Sequence, residues 1–245
     1  MNRFEGKTVL VTGGNSGIGL AAAKAYAAEG ARVIITGRDT TSLAQAQAEL
    51  GAASVAIGND AASLPAARQL AQELTAKGLT LDAVFINAGV AKFAAFADVD
   101  EALWDQSFDV NVKGAYFQIQ ALLPLLNQGA SIVINGSINA HIGMPASSVY
   151  AASKAAVISL AKTLSAELLP RGIRVNVVSP GPIRTPLHTK LGMDETTAAQ
   201  LQAQIPVGRF GTAEELASTI LHLSASESAF IVGTEIIVDG GMSQL

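Results

Sequence analysis

Along the chain, short β-branched runs alternate with longer stretches rich in alanine and leucine. The short runs read as strands buried on both faces: Thr8–Val11, Arg32–Thr36, Ser54–Ile57, Ala83–Ile86, Ser131–Asn135, Arg174–Val178 and Ile236–Val238. Helical spacing fills the intervals, near Gly17–Glu29, Thr41–Leu50, Ser63–Lys77, Glu101–Leu126, Tyr150–Leu168 and Ala213–Ser224. This alternation predicts βαβ units and a parallel sheet, an α/β protein. Gly30 and Gly172 fall where helices should stop in a left-handed cap, and Pro124 should kink or end the fourth helix. No Pro/Gly-rich linker or repeat divides the chain, so residues 1–245 are expected to form one domain. The alternation lapses over 180–211, where four prolines accompany only fragments of helical pattern such as Glu195–Gln204. A long irregular excursion after a strand's carboxyl end predicts a substrate-covering loop.

Composition narrows the function classes. Hydrophobic residues make up 49% of the chain and charged residues only 15%, against roughly 25% charged in an average globular chain. A net charge of −4 argues against nucleic acid as a partner, which would need a basic footprint. Without cysteine there is no disulfide or thiolate chemistry, and scattered His141, His188 and His222 predict no metal site. The segment Met1–Lys7 lacks the apolar stretch of a signal peptide, and no run reaches the roughly 20 apolar residues of a membrane span. The expectation is a soluble, cytoplasmic protein.

Two constellations carry chemistry. After Val9-Leu10-Val11 comes Thr12-Gly13-Gly14-Asn15-Ser16-Gly17-Ile18-Gly19, a glycine-rich turn between strand and helix. Such a turn seats a dinucleotide pyrophosphate: Gly13 for the tight turn, Gly17 for close approach of the backbone, Gly19 for helix–sheet packing. Asn15, Ser16 and Ile18 would line it. Further on, Tyr150 and Lys154 stand at i, i+4, on one helix face. The ammonium can therefore favour the phenolate and lower the tyrosine pKa from about 10. Ser137, at a strand's carboxyl end, can polarise a carbonyl. A tunable proton donor beside a dinucleotide seat predicts hydride transfer to or from a carbonyl. After the second strand Gly37-Arg38 stands where an acidic residue would hold a ribose 2′-hydroxyl. Arg38 instead suits a 2′-phosphate, in charge and in bidentate geometry, so NADP(H) is expected over NAD(H). Asp39 is expected as the N-cap of the next helix.

Taken together, these segments resemble the short-chain dehydrogenase/reductase family from about Gly6 to Met242. The resemblance implies a Rossmann-type, doubly wound parallel seven-stranded sheet flanked by helices. It implies a catalytic set of Asn111, Ser137, Tyr150 and Lys154, with Asn111 holding a water of a proton relay and Lys154 also binding the nicotinamide ribose. Asp60 matches the position that contacts adenine, and Asn87-Ala88-Gly89 the end of the family's N-N-A-G turn. Ile86 replaces the first Asn of that turn, so a hydrogen bond that stabilises the sheet is expected to be missing. Pro180, Gly181, Ile183 and Thr185 match a P-G-x-x-x-T segment at the nicotinamide carboxamide.

The leading expectation is an NADPH-dependent carbonyl reductase, reversible as an alcohol dehydrogenase, acting on a small molecule. A 3-oxoacyl-carrier-protein reductase would share all these residues, and a non-catalytic NADPH-binding sensor would be expected to lack Tyr150 or Lys154. A serine hydrolase would need G-x-S-x-G, which Asn135-Gly136-Ser137-Ile138-Asn139 is not. Loop residues His141, Met144, Leu187, His188, Leu191 and Met193 predict a mixed, partly apolar pocket. Apolar outer positions on two long helices, Ala115, Phe117, Ala156, Leu160 and Ala161, predict a homo-oligomer, and the resemblance implies a homotetramer in which Phe230–Met242 contributes a second interface.

Overall fold

In a computed structural model, which describes residues 2–185 and 194–245, seven strands form one parallel sheet in the order β3-β2-β1-β4-β5-β6-β7. They are β1 (Thr8–Thr12), β2 (Arg32–Gly37), β3 (Val55–Gly58), β4 (Leu81–Ile86), β5 (Leu126–Asn135), β6 (Arg174–Pro180) and β7 (Glu235–Val238). The helices are α1 (Gly17–Ala28), α2 (Thr40–Leu50), α3 (Leu64–Ala76), α4 (Glu101–Phe108), α5 (Ala115–Leu122), α6 (Ser148–Leu168), α7 (Glu195–Ala203) and α8 (Ala213–Ser224). This is the doubly wound Rossmann-type architecture. Strand order reverses between β1 and β4, opening a crevice at the carboxyl ends of the strands.

Strand periodicity sorts the core into two layers. Leu10, Ile34, Val84, Ile132 and Val175 face α3, α5 and α6, joining Leu70, Ile119 and Val157. Their neighbours Val9, Val11, Val33, Phe85 and Val133 face the other way, onto Ala22 and Tyr26 of α1 and Leu216 and Ile220 of α8. Caps fix several starts: Asp39 accepts from Ser42 N–H as expected, Ser63 from Ala66 N–H, and Thr212 with Glu215 forms a capping box.

Three expectations need correction. The helix expected over Glu101–Leu126 is not continuous: a π-helical segment, Asp109–Gly114, separates α4 from α5, and a 3-10 turn at Leu123–Leu125 carries Pro124. A wide π turn lets Gly114 lie against the Ala61 carbonyl, an approach that any Cβ would block. Strand β5 starts at Leu126, ahead of the expected Ser131, through a register irregularity opposite Leu81 and Ala83. Ala115 and Ala161 are buried inside this chain rather than on outer helix faces, whereas Phe117 and Leu160 are only partly covered.

The excursion after β6 has a closed neck. Ile183 and Gly211 pair as an isolated parallel bridge, Arg184 N–H donates to Gly211 O (2.9 Å), and Gly211 N–H donates to Pro182 O (3.0 Å). The pocket residues expected at Leu187, His188, Leu191 and Met193 lie outside the described residues. No helix among the described residues is long and apolar enough to cross a membrane.

Candidate active site

A cleft of about 1200 Å³ runs along the carboxyl ends of the strands. At one end the β1–α1 turn contributes Gly13, Asn15, Ser16, Gly17 and Ile18. Gly13 and Gly17 take left-handed φ of 62° and 51°, which favours glycine. Gly19 lies buried behind them, where a Cβ would overlap the Gly13 carbonyl oxygen. Ser16 caps α1 without a side-chain hydrogen bond, and no acidic residue occupies the first turn. The first N–H groups of α1 therefore face the cleft as an anion seat. Across the turn, Thr185 stands 3.6 Å from where a Cβ of Gly17 would be, and Pro180, Gly181 and Ile183 continue that wall.

Arg38 and Asp60 line the cleft after β2 and β3. The Asn15 side chain fills the space above Gly37, 2.6 Å from the position of a Cβ there, and donates to Ser42 Oγ at 2.7 Å. A larger residue at position 37 would require the Asn15 side chain to move aside.

The ends of β1, β4 and β5 are tied by side chains. Thr12 Oγ1 accepts from the N–H groups of Asn87 and Ala88, both at 2.9 Å, while Asn87 Nδ2 donates to Thr12 O (3.0 Å) and Gly13 O (3.2 Å). Asn87 Oδ1 then accepts from Asn135 Nδ2 at 3.0 Å. The expected loss at Ile86 is thus bridged by Asn87 and Asn135. The one sequence signal for Asn135 is an amide closing an otherwise apolar strand run. The two carbonyls on Asn87 fix its amide orientation, and this in turn fixes that of Asn135. Asn135 Oδ1 is consequently a buried acceptor with no hydrogen-bond partner.

Tyr150 and Lys154 rise from the first turns of α6 onto the same wall, with Ser137 beside them at the end of β5. Lys154 is buried, and its Nζ donates to Asn135 O at 2.7 Å. It sits 5.8 Å from the centroid of the Tyr150 ring. Burial pulls the lysine down to about 8. Tyr150 corrects the sequence expectation. Burial pushes its phenol above the ordinary value, and a hydrogen bond with Ser137 opposes this only in part. The phenol is therefore neutral at physiological pH, a proton donor rather than a preformed base.

Asn111, at the π-helical segment, stands behind this group and does not line the cleft. Its Oδ1 accepts from Val90 N–H (2.8 Å) and its Nδ2 donates to Val90 O and Ser153 Oγ, both at 3.0 Å. Gly89 leaves room for both Asn111 and Lys154, since a Cβ there would sit 3.1 Å from Asn111 Oδ1 and 3.6 Å from Lys154 Nζ. At the far end Phe93, Ile142, Met144 and Met242 line the cleft. His141 does not join them: its Nε2 lies 2.7 Å from Glu235 Oε1, on β7.

Fold and cleft together define a dinucleotide-dependent oxidoreductase, and known proteins agree. A family model described as Enoyl-(Acyl carrier protein) reductase matches residues 13–243. The "Oxidoreductase asL5" of Sarocladium schorii is 38% identical over 247 residues, covering 100% of this chain and 99% of that protein. The 3-oxoacyl-[acyl-carrier-protein] reductase FabG of Thermotoga maritima is 36% identical over 98% of this chain and 99% of its own length. The solved Pseudomonas aeruginosa RhlG/NADP active-site complex superposes with a TM-score of 0.92 at 34% identity, covering 98% and 97% of the two chains. The chain belongs to the short-chain dehydrogenase/reductase family, enzymes that use a nicotinamide cofactor, NAD(P), to interconvert CH–OH and C=O groups.

Proposed function

We propose that the protein is an NADPH-dependent carbonyl reductase, reversible as an alcohol dehydrogenase, formed by one catalytic domain. The observation that carries this reading is the placement of Tyr150 and Ser137 together on the cleft wall, with the buried Lys154 ammonium 5.8 Å from the Tyr150 ring centroid. The residues fit the cofactor, because the Gly13–Gly19 turn folds as tightly as it does only without Cβ atoms, which would strike Ile35 from Gly14 and the Gly13 carbonyl from Gly19, and the α1 N-terminus faces the cleft beside it. Arg38, Ser42 and Asn15 would hold a 2′-phosphate, Asp60 would border the adenine, and Asn87, Ala88, Gly89, Pro180, Gly181, Ile183 and Thr185 would border the nicotinamide half. A bound dihydronicotinamide supplies hydride to the carbonyl carbon.

Ser137 donates to the carbonyl oxygen and polarises it. Tyr150 passes its phenolic proton to that oxygen as charge develops, completing the alcohol. The phenolate left behind is stabilised by the Lys154 ammonium and regains its proton from solvent. Both amide hydrogens of Asn111 and one lone pair of its Oδ1 are engaged by Val90 and Ser153, so the relay water that the residue would hold can be a donor only, to an oxygen of Asn111.

Tyr150→Phe keeps the ring and removes only the hydroxyl. Turnover should fall by about 10²–10⁴-fold while NADPH affinity, read by fluorescence titration, stays within a few-fold; near-normal turnover would refute the assignment. For cofactor choice, Arg38→Ala should weaken NADPH by about 1.5–3 kcal/mol and leave NADH nearly unchanged; equal losses would make Arg38 a fold residue. The NADP named in the Pseudomonas complex supports this preference. A second reading, reduction of a 3-oxoacyl thioester, is favoured by the Thermotoga relative, and comparing kcat/KM for acyl thioesters and simple ketones separates the two.

A further inference from the structure

We infer that the substrate is an uncharged carbonyl compound carrying an aromatic substituent, which Phe93 receives beside Tyr150. This rests on the carbonyl reductase reading above. Phe93 is 40% exposed, and its ring meets Tyr150 edge-on, with centroids 5.6 Å apart and planes at 64°. An exposed aromatic face directly beside the proton donor gains burial and ring–ring contact when a planar apolar group fills the cleft.

The position of that ring is built. Ala146 adopts a left-handed φ of 64°, the one positive φ outside glycine among the described residues. Its carbonyl accepts from Ala94 N–H at 2.9 Å, clipping the loop that bears Phe93 to the loop that leads into α6. Strain of this kind persists where the surroundings hold it, commonly at ligand sites.

Apolar lining comes also from Ile142, Met144, Pro145, Leu201 and Met242, with the uncharged Asn139 and Thr197 among them. Charged side chains on the cleft fall elsewhere. Arg38, Asp39 and Asp60 follow β2 and β3, on the other side of β1 from β5. Lys154 is turned onto the Asn135 carbonyl. A carboxylate or phosphate on the substrate would be desolvated beside Phe93 with Lys154 the one cation of the described lining near it, and that ammonium is committed to the Asn135 carbonyl and to Tyr150, which makes a second anion costly.

The test pairs ethyl benzoylformate with benzoylformate, which share ring and ketone and differ in charge, and adds butanone as a small neutral ketone, all with NADPH. The ester should show at least ten-fold higher kcat/KM than either. Phe93→Ala should raise KM for the ester about ten-fold and that for butanone much less, so that the preference for the ester over butanone in kcat/KM falls about ten-fold. Higher kcat/KM for the acid than for its ester overturns the inference and leaves the reductase reading intact. So does an unchanged ester KM in the variant. Failure to turn over any carbonyl compound overturns the reductase reading itself.

Discussion

At the scale of single residues, Lys154 ties chemistry to stability. Its ammonium is charged below about pH 8 in the folded protein, against an ordinary 10.5. Between those values the unfolded chain binds the extra proton, so stability should rise as pH rises from 8 towards 10, by on the order of 2–3 kcal/mol. Urea titrations of wild type and Lys154→Met should show that rise only in wild type. Catalysis runs the other way. If the cation stabilises the Tyr150 phenolate, kcat/KM for the nicotinamide should fall as pH passes about 8; a flat profile to pH 9.5 would contradict the role. Ala146 makes a simpler prediction. Replacing it with glycine relieves a left-handed alanine and should stabilise the fold by about 1 kcal/mol, seen as a rise in Tm.

At the scale of elements, the strands and most helices were legible because burial on two faces leaves a dense apolar signature. The glycine turn, Ser137, Tyr150 and Lys154 were legible because their spacing is local. What escaped was set by contacts between distant segments. The π turn at Asp109–Gly114 goes with the close approach of Gly114 to Ala61, which no periodicity reports. The pKa of Tyr150 depends on how deeply α6 sinks beside Ser137, and the i, i+4 spacing with Lys154 carried no sign of that burial. Asn135 meets Asn87 only once β4 and β5 pair. Gly114→Ala tests the first of these points. It should destabilise by about 1–3 kcal/mol through overpacking, and unchanged thermal unfolding would mean that the π turn relaxes freely.

At the scale of the molecule, two groups of exposed apolar side chains among the described residues bear on assembly. Phe96, Trp104 and Tyr116 are exposed around α4 and α5, and Phe230 and Val232 are exposed beside β7, an edge strand whose residues are only partly buried. Exposed aromatic patches on edges mark association surfaces, and we propose that the protein is a homotetramer. Light scattering at micromolar concentration should give about four times the 25.1 kDa chain mass. Phe230→Glu should shift it to a smaller species, and a monomer in wild type would refute the assembly. The paired neck at Ile183 and Gly211 has a consequence of another kind. Because both strands of the neck are pinned to each other, the ends of the intervening stretch stay together whatever its length, and closing a longer loop adds only about 0.6 kcal/mol per doubling. The part of that stretch beyond Thr185 is a cassette: exchanged with the corresponding part of a relative, it should retune which compound is reduced while Ile183 and Thr185, left in place, keep the affinity of the nicotinamide seat.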